Sequence, residues 1–366
     1  MAGKINKSAK PPSCWIVSDG TVGMETQSRA LAAAAGLKPK IITLYPNLLA
    51  RLFPRMARFP FWPLWQGDSP LPGGAFPDLI ICCGRRMAGA GLGVRRLSSG
   101  KSRLIQIGDP RLPPDWFDLL VVPAHDPAAR QAEEARNIII STGALNRLDA
   151  AAIEAAAEAA QTAYGEQWAG LQKPGGAGKG AGTNAGTDTG TDTATNTGTD
   201  TGQRRLIAVL LGGANRRYVP EAADFARMGR QLAELAENSS AGLVIIPSRR
   251  TGADALVGLS GSLDGVPHWF WDGQGENPYP GVLGLVAAVV VTSDSVNMAS
   301  EAALTGLPLL VGELRPETGR IADFHARMQA AGHSAPLGPQ LPDAADFTRL
   351  DEMPRIAAEL ADRLGL

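Results

Sequence analysis

Between Pro174 and Gly202 the chain holds nine Gly, nine Thr and, beyond Pro174, no apolar residue larger than Ala. Such a stretch buries too little surface to offset the entropy of ordering it. The run GTNAGTDTGTDTATNTGTDTG therefore reads as a linker, with a reach of roughly 5–6 Å × √n, or about 30 Å. No chemistry is assigned to it. It divides the 366 residues into two halves, each near the ~150 residues of an ordinary domain. The expected layout is a disordered N-terminus (1–13), a first domain (14–172), the linker (173–203), a second domain (204–343) and a C-terminal helical stretch (344–366).

The division also separates charge. Residues 1–172 carry 19 Lys+Arg against 14 Asp+Glu, a net of +5, and residues 204–366 carry 14 against 19, a net of −5. The whole-chain charge of −1 argues against a general nucleic-acid binder. Three Cys (Cys14, Cys82, Cys83) make neither a disulfide framework nor a zinc site. Cys82 and Cys83 lie in an apolar run and read as core thiols of a reducing compartment. The four His, at 125, 268, 325 and 333, are scattered, so no metal site is expected. The basic, polar start MAGKINKSAKPPS is no signal peptide. The longest apolar run, Gly281 to Val291, is too short to span a bilayer. A cytoplasmic protein is expected.

Short continuous apolar runs alternate with helical patterns in both halves. Strands are predicted near Cys14–Ser18, Lys40–Leu44, Asp78–Cys83, Arg103–Ile107, Leu119–Pro123 and Asn137–Ser141, with helices at Met24–Ala35, Met87–Leu97 and Asp149–Trp168. The second half gives strands at Leu206–Leu211, Leu243–Pro247, His268–Trp271, Ala288–Thr292 and Pro308–Val311. Its helices fall near Glu221–Glu237, Asp254–Ser260, Pro280–Ala287, Val296–Thr305 and Ile321–Ala330, and Pro354 starts or kinks a last one within Ala344–Leu366. Continuous apolar strands between helices indicate parallel sheets covered on both faces. The fold class is α/β, with two Rossmann-like doubly wound domains, and ligands of such sheets sit at the carboxyl ends of strands.

The strand-end loops are therefore where chemistry is sought. In the first half, Ser18 to Gly23 runs into a helix and suits an anionic or polyhydroxyl ligand; Asp19 there is placed either as a general base or as a helix cap. Arg85, after Cys83-Gly84, and Arg111, after Gly108-Asp109-Pro110, can hold an anion bidentately. His125 beside Asp126 reads as an acid/base pair or a capping group. In the second half, Gly212-Gly213 permits close backbone approach to a ligand, and Ser248-Arg249-Arg250-Thr251 suits a phosphate. Asn277 and Tyr279 precede a short helix. In Thr292–Ala302, Asp294 or Ser295 starts a helix whose first amides suit a pyrophosphate, and Glu301, about two turns in, reaches ribose hydroxyls; the plainer reading is an N-cap and a solvated Glu.

In combination, SDGTVGMETQ, IICCGRRMA, IGDPRLP, SRRTG, ENPY and VTSDSVNMASEA resemble the bacterial members of the mitochondrial fission ELM-like family, over about residues 14–335. The resemblance implies a GT-B-like fold: two Rossmann domains facing across a cleft, with a C-terminal helix crossing back. It implies a nucleotide-sugar donor on the second domain, at Gly212, Gly213, Ser248, Arg249, Thr251, Asn277, Tyr279, Asp294, Ser295, Asn297, Met298 and Glu301. Arg249 would counter the diphosphate charge of the leaving group. The first domain would hold the acceptor, with Gly20, Gly23, Gln27, Gly84, Arg85, Asp109 and Arg111 as its acceptor or anion site. Asp19 would be the likeliest base, with His125 and Asp126 the other catalytic candidates. No cofactor and no metal is implied. The chain departs from the pattern at Gly252, where Pro is expected, and in its long linker.

Residues 47–65, NLLARLFPRMARFPFWPLW, hold Arg51, Arg55 and Arg58, no acid and five Phe or Trp. Arg with aromatic faces fits a membrane interface; a buried insertion is the alternative. An anionic membrane or a lipid-linked acceptor is accordingly an expected partner, and a peripheral position at the inner membrane an expected location. Three readings follow: a metal-independent glycosyltransferase-like enzyme, a non-catalytic GT-B scaffold recruiting partners at a membrane, and a nucleoside-diphosphate-sugar epimerase.

Overall fold

The computed structural model describes residues 12–47, 65–67, 75–146, 148–173, 205–215 and 219–366. The linker from 174 to 203, the Arg/aromatic stretch at 48–64 and the first eleven residues lie outside the described residues.

The first sheet contains β1 (Cys14–Ser18), β2 (Pro39–Pro46), β3 (Trp65–Gly67), β4 (Leu79–Cys83), β5 (Arg103–Ile107), β6 (Leu119–Pro123) and β7 (Ile138–Ser141). Their order is β3-β2-β1-β4-β5-β6-β7. Every pairing is parallel except β2 with β3, which is antiparallel. β1 lies between β2 and β4, with Cys14 opposite both Pro39 and Leu79. Strand side chains alternate between faces, and here both faces are covered. Trp15, Val17, Ile80, Cys82 and Leu104 pack with Met87, Ala88 and Val94 of α2 (Gly84–Leu97). Ile16, Leu79, Ile81 and Ile105 pack with Leu31 of α1 (Val22–Ala34). This explains why the strands read as unbroken apolar runs.

The second sheet runs β10-β9-β8-β11-β12-β13 and is parallel throughout. Its strands are β8 (Arg205–Leu211), β9 (Ala241–Pro247), β10 (His268–Phe270), β11 (Ala288–Thr292), β12 (Leu309–Gly312) and β13 (Ala335–Pro336). One face carries Phe225, Met228 and Leu232 of α4 (Ala222–Asn238) and Leu259 of α5 (Ala253–Ser260). The helix expected over Pro280–Ala287 is a single turn, α6 (Tyr279–Val282). Two further helices, α7 (Val296–Ala302) and α8 (Arg320–Ala330), follow β11 and β12.

Two helices pack against the domain other than the one they adjoin in sequence. α3 (Ala150–Leu171) is N-capped by Asp149, whose side chain accepts from the Ala152 N–H at 2.7 Å. Its position in sequence assigns it to the first domain. Its apolar residues Ile153, Ala160, Trp168 and Leu171 instead lie in the core of the second sheet, with Leu206, Leu210 and Val244. The last helix, α9 (Met353–Leu364), has Pro354 in its first turn, where a missing N–H costs nothing. Its Ile356, Leu360 and Leu364 complete the core of the first sheet. The chain therefore crosses twice between domains, at 142–149 and at 350–353. At the first crossing the Ser300 hydroxyl accepts the Ala144 N–H at 3.0 Å. At the second, the Glu352 carboxylate accepts the N–H groups of Thr142 (2.7 Å) and Gly143 (3.2 Å).

Candidate functional site

At the carboxyl ends of β8, β9 and β11 three loops are bound to one another. Asp294 Oδ1 accepts the Thr292 hydroxyl at 2.7 Å, while Oδ2 meets Arg250 at 2.7 Å and the Gly213 N–H at 3.3 Å. The Asp294 side chain is fully buried. Thr292 Oγ1 in turn accepts the Gly212 N–H at 2.7 Å. Thr251 Oγ1 donates to the Gly212 carbonyl at 2.5 Å and accepts the Ser248 N–H at 3.0 Å. The close approach that Gly212 and Gly213 permit is thus made by the protein itself. A Cβ on Gly213 would lie 2.1 Å from the Arg250 carbonyl oxygen. Gly212, Gly213, Ser248, Thr251 and Asp294 are brought together, as struts of the site rather than as open ligand groups. Arg249 is exposed and forms no ion pair among the described residues.

On α7, Ser295 is the N-cap, its hydroxyl accepting the Met298 N–H at 3.4 Å. Asn297 is exposed and faces the first domain: a Cβ on Gly23 would lie 3.4 Å from its side-chain nitrogen. Glu301 is joined to Tyr279, whose hydroxyl donates to Oε2 at 2.5 Å. Burial pushes the Glu301 carboxyl above its ordinary range, against the opposing pull of that hydrogen bond. Burial, then the neighbouring Glu301, raises the Tyr279 phenol well above its usual value, so it stays a donor. Asn277 Oδ1 accepts the Tyr279 N–H at 3.0 Å and fixes the turn before α6.

In the first domain, Asp19 Oδ2 pairs with Arg86 at 2.8 Å and Oδ1 accepts the Thr21 N–H at 3.1 Å. Burial pushes this carboxyl up, but the hydrogen bonds of Thr21 and Arg86 outweigh it, and it titrates below the usual carboxylate range. A carboxylate so stabilised is a weaker base, which weighs against the general-base reading of Asp19. His125 and Asp126 do not form a pair either. Asp126 Oδ1 is held by Arg320 at 2.5 Å and Oδ2 by the Asp109 N–H at 3.3 Å. The His125 ring meets Phe324 edge-on, centroids 5.3 Å apart, and its Nδ1 is buried without a hydrogen-bond partner among the described residues. Burial lowers its basicity; Asp126 opposes this and Arg320 and Arg327 reinforce it. Gly20 and Gly84 take positive φ values of 78° and 79° at their turns, and Gln27 is half-buried on α1. Arg111 has φ 54°, its N–H held by Asp109 Oδ1 at 2.7 Å. Arg85 and Arg111 are exposed and carry no ion pair among the described residues. No group of three or more His, Cys, Asp or Glu among the described residues is placed to hold a metal ion. No helix among them is long and apolar enough to cross a membrane.

Residues that the sequence reading missed join the two halves of this cleft. Arg320 and Phe324 enter from α8, following the strand-end loop 313–319. Glu317 in that loop accepts the Ser293 hydroxyl at 3.0 Å, and a nitrogen of His325 lies 2.7 Å from the Ser293 carbonyl oxygen. The signal was present: a fifth strand-end loop of the second half, GELRPETG, leads into a helix that begins with Arg.

Two Rossmann-like domains facing across a cleft, with α3 and α9 exchanged, define a GT-B-like protein. Solved structures share this fold. A UDP-GlcNAc 2-epimerase from Neisseria meningitidis bound to UDP-GlcNAc superposes with a TM-score of 0.55 at 11% identity, covering 96% of this chain and 99% of that one. A putative UDP-N-acetylglucosamine 2-epimerase from Listeria monocytogenes gives 0.51 at 14% identity, covering 96% and 88%. The sequence matches the Mitochondrial fission ELM1 family over residues 22–177 and 183–364, and the chain belongs to that family. Mitochondrial fission protein ELM1 of Arabidopsis thaliana is 29% identical over 292 residues, 73% of this chain. The match spans 57% of that plant protein's length. Uncharacterized protein RP120 of Rickettsia prowazekii is 25% identical over 334 residues, covering 81% and 82%.

Proposed function

We propose that the protein binds a nucleotide-sugar in its cleft and acts as a metal-independent, glycosyltransferase-like protein. One observation carries the reading: Glu301, a buried carboxyl at the strand-end edge of the second domain, is held through one oxygen by Tyr279. Its other oxygen accepts no hydrogen bond from the described residues. That is the arrangement needed to receive a sugar hydroxyl. The knitted loops at Gly212, Ser248 and Asp294 supply a rigid wall, with Ser295, Asn297 and Met298 at the start of the helix that follows Asp294 and Arg249 as an exposed cation for a diphosphate. The UDP-GlcNAc 2-epimerase structures support the fold, and their ligand is carried here as a proposal.

The acceptor side is proposed to take an anionic group. α2 begins Gly84-Arg85-Arg86 with no acid in its first turn, where the helix dipole disfavours cations by roughly 0.3–1 kcal/mol each. Asp19 offsets Arg86; nothing described offsets Arg85 or Arg111. A phosphate-bearing, lipid-linked acceptor at an anionic membrane would neutralise both.

A second reading, a non-catalytic scaffold recruiting partners at a membrane, is favoured by one observation. Both acids expected to move protons, Asp19 and Asp126, are committed to Arg86 and Arg320. An epimerase would need a free acid/base set in the same cleft. Calorimetry with UDP, GDP, ADP and CMP and their sugars separates these readings. Binding of one, weakened in Glu301→Gln, supports the nucleotide site. Binding of none leaves the scaffold. Turnover of a bound sugar nucleotide without an acceptor identifies the epimerase.

A further inference from the structure

We propose that Tyr279 aims Glu301 at the nucleotide and that Tyr164, on a helix from the other half of the chain, holds Tyr279 in place. The proposal rests on the nucleotide reading above and adds the machinery that sets its affinity. Tyr279 opens α6 directly after a loop, 272–278, that is exposed along most of its length. An exposed loop presents a side chain accurately only if something fixes it, and here a chain of contacts does so. The Trp271 indole N–H donates to the Gln274 carbonyl at 2.9 Å, and the Gln274 N–H to Asp272 Oδ1 at 2.8 Å. The Tyr279 N–H donates to Asn277 Oδ1 at 3.0 Å.

The tether from outside the loop is the Tyr164 hydroxyl, which donates to the Glu276 carbonyl at 2.5 Å. The Tyr164 ring is itself immobilised. It stacks on Trp168 with centroids 5.7 Å apart and leans on Trp269 at 5.3 Å. Tyr164 lies on α3, the helix that crosses from the first half into the core of the second. The crossing therefore has a functional as well as a packing consequence.

The chemistry at the end of this chain is specific. A phenol donating to Glu301 Oε2 fixes the carboxylate plane and leaves Oε1 to accept a ribose hydroxyl. It also favours the charged form, which is the better acceptor. No other charged group contends for Glu301 from the elements beneath it. β11 (AVVVT) and β12 (LLVG) carry no ionisable side chain, nor does α6 beyond Tyr279 itself. Burial is the opposing influence. Without the Tyr279 hydroxyl, burial acts unopposed and the carboxyl turns neutral at higher pH.

The test uses the full chain in three forms: wild type, Tyr279→Phe and Tyr164→Phe. The Glu301 carboxyl is titrated by carbon-13 NMR without ligand, and UDP, GDP, ADP and CMP are titrated by calorimetry between pH 5.5 and 8.5. Tyr279→Phe is expected to move the Glu301 midpoint to higher pH. The acid limb of nucleotide affinity should move with it, with a three- to tenfold loss of affinity on that limb. Tyr164→Phe should shift both in the same direction by less. A packing role alone would leave the midpoint in place. An unmoved midpoint in Tyr279→Phe, or a moved midpoint with unchanged binding, overturns the proposal while the nucleotide site stands. If wild type binds none of the four, the nucleotide reading fails and the proposal with it. Thermal unfolding precedes each titration; should Tyr279→Phe not fold, Tyr164→Phe carries the same test, and an unmoved midpoint there overturns the proposal.

Discussion

The carboxylate of Asp294 occupies the space that a side chain on Gly212 would need: a Cβ there would lie 2.0 Å from Oδ1. The two residues are far apart in sequence and close the ends of adjacent strands, β8 and β11. Gly212→Ala must displace the carboxylate, and overpacking of this kind costs about 1–3 kcal/mol. Asp294→Ala should cost about 2–4 kcal/mol. It strands Thr292 and the Gly213 N–H in the interior, whereas Arg250, 40% exposed, recovers water. Urea denaturation of both variants checks this. A loss below about 0.5 kcal/mol in Asp294→Ala, the range of ordinary surface changes, would show that the strut is not structural.

The exchanged helix α3 makes a second prediction. Trp168 is one of the largest fully buried side chains and sits under the second sheet. Trp168→Ala should cost about 3–5 kcal/mol. Hydrogen exchange should accelerate in β8, β9 and β10 but not in β1 to β7, although residue 168 precedes the linker. Trp168→Phe should be far milder, because it also removes a buried indole N–H that has no partner among the described residues. Faster exchange in the first sheet would contradict the packing.

Strand periodicity made both sheets legible except for the short edge strands β3 and β13, because buried parallel strands are apolar on both sides and end at Gly, Ser or Asp. The partner of α3 was not legible. Its Ala-rich sequence covers a sheet equally well on either side of the linker, and only the distant residues Leu206, Leu210 and Val244 decide the matter. The site divides in the same way. Glu301, Tyr279 and Asp294 stood out because strand-end loops carry ligands. That Asp294 would bind Arg250 instead of a phosphate, and that Asp126 would bind Arg320, depends on side chains 44 and 194 positions away. No local pattern records such partners.

His125 gives the interface a pH dependence. Burial holds its folded pKa below the unfolded value, which is about 6.5. The unfolded chain then takes up the proton first, so stability falls as pH drops from about 6.5 through the folded pKa. His125→Phe keeps a ring against Phe324 and should flatten that slope. Arg320→Gln removes one of the two cations that lower the pKa, and should raise the imidazole midpoint seen by proton NMR. Equal slopes in wild type and His125→Phe would assign the acid sensitivity elsewhere.

Glu301 should show function and stability opposed in one residue. Its folded pKa is raised by burial. The stability it contributes is therefore complete below the unfolded carboxyl value, near 4.3, and is lost as pH rises through the folded pKa. Above that folded pKa the ionised carboxylate is a cost that Glu301→Gln removes, since the amide oxygen still accepts from Tyr279. The variant should melt at or above wild type at pH 7.5, and the difference should vanish as pH falls towards 4. Nucleotide affinity should move the other way. One or two charge-assisted hydrogen bonds, each worth roughly 1.5–3 kcal/mol, are weakened, a loss of about ten- to a hundredfold. Scanning calorimetry across pH and titration calorimetry at pH 7.5 read the two effects separately. A variant that melts lower yet binds equally well would show that Glu301 serves the fold and that the nucleotide is held by other groups.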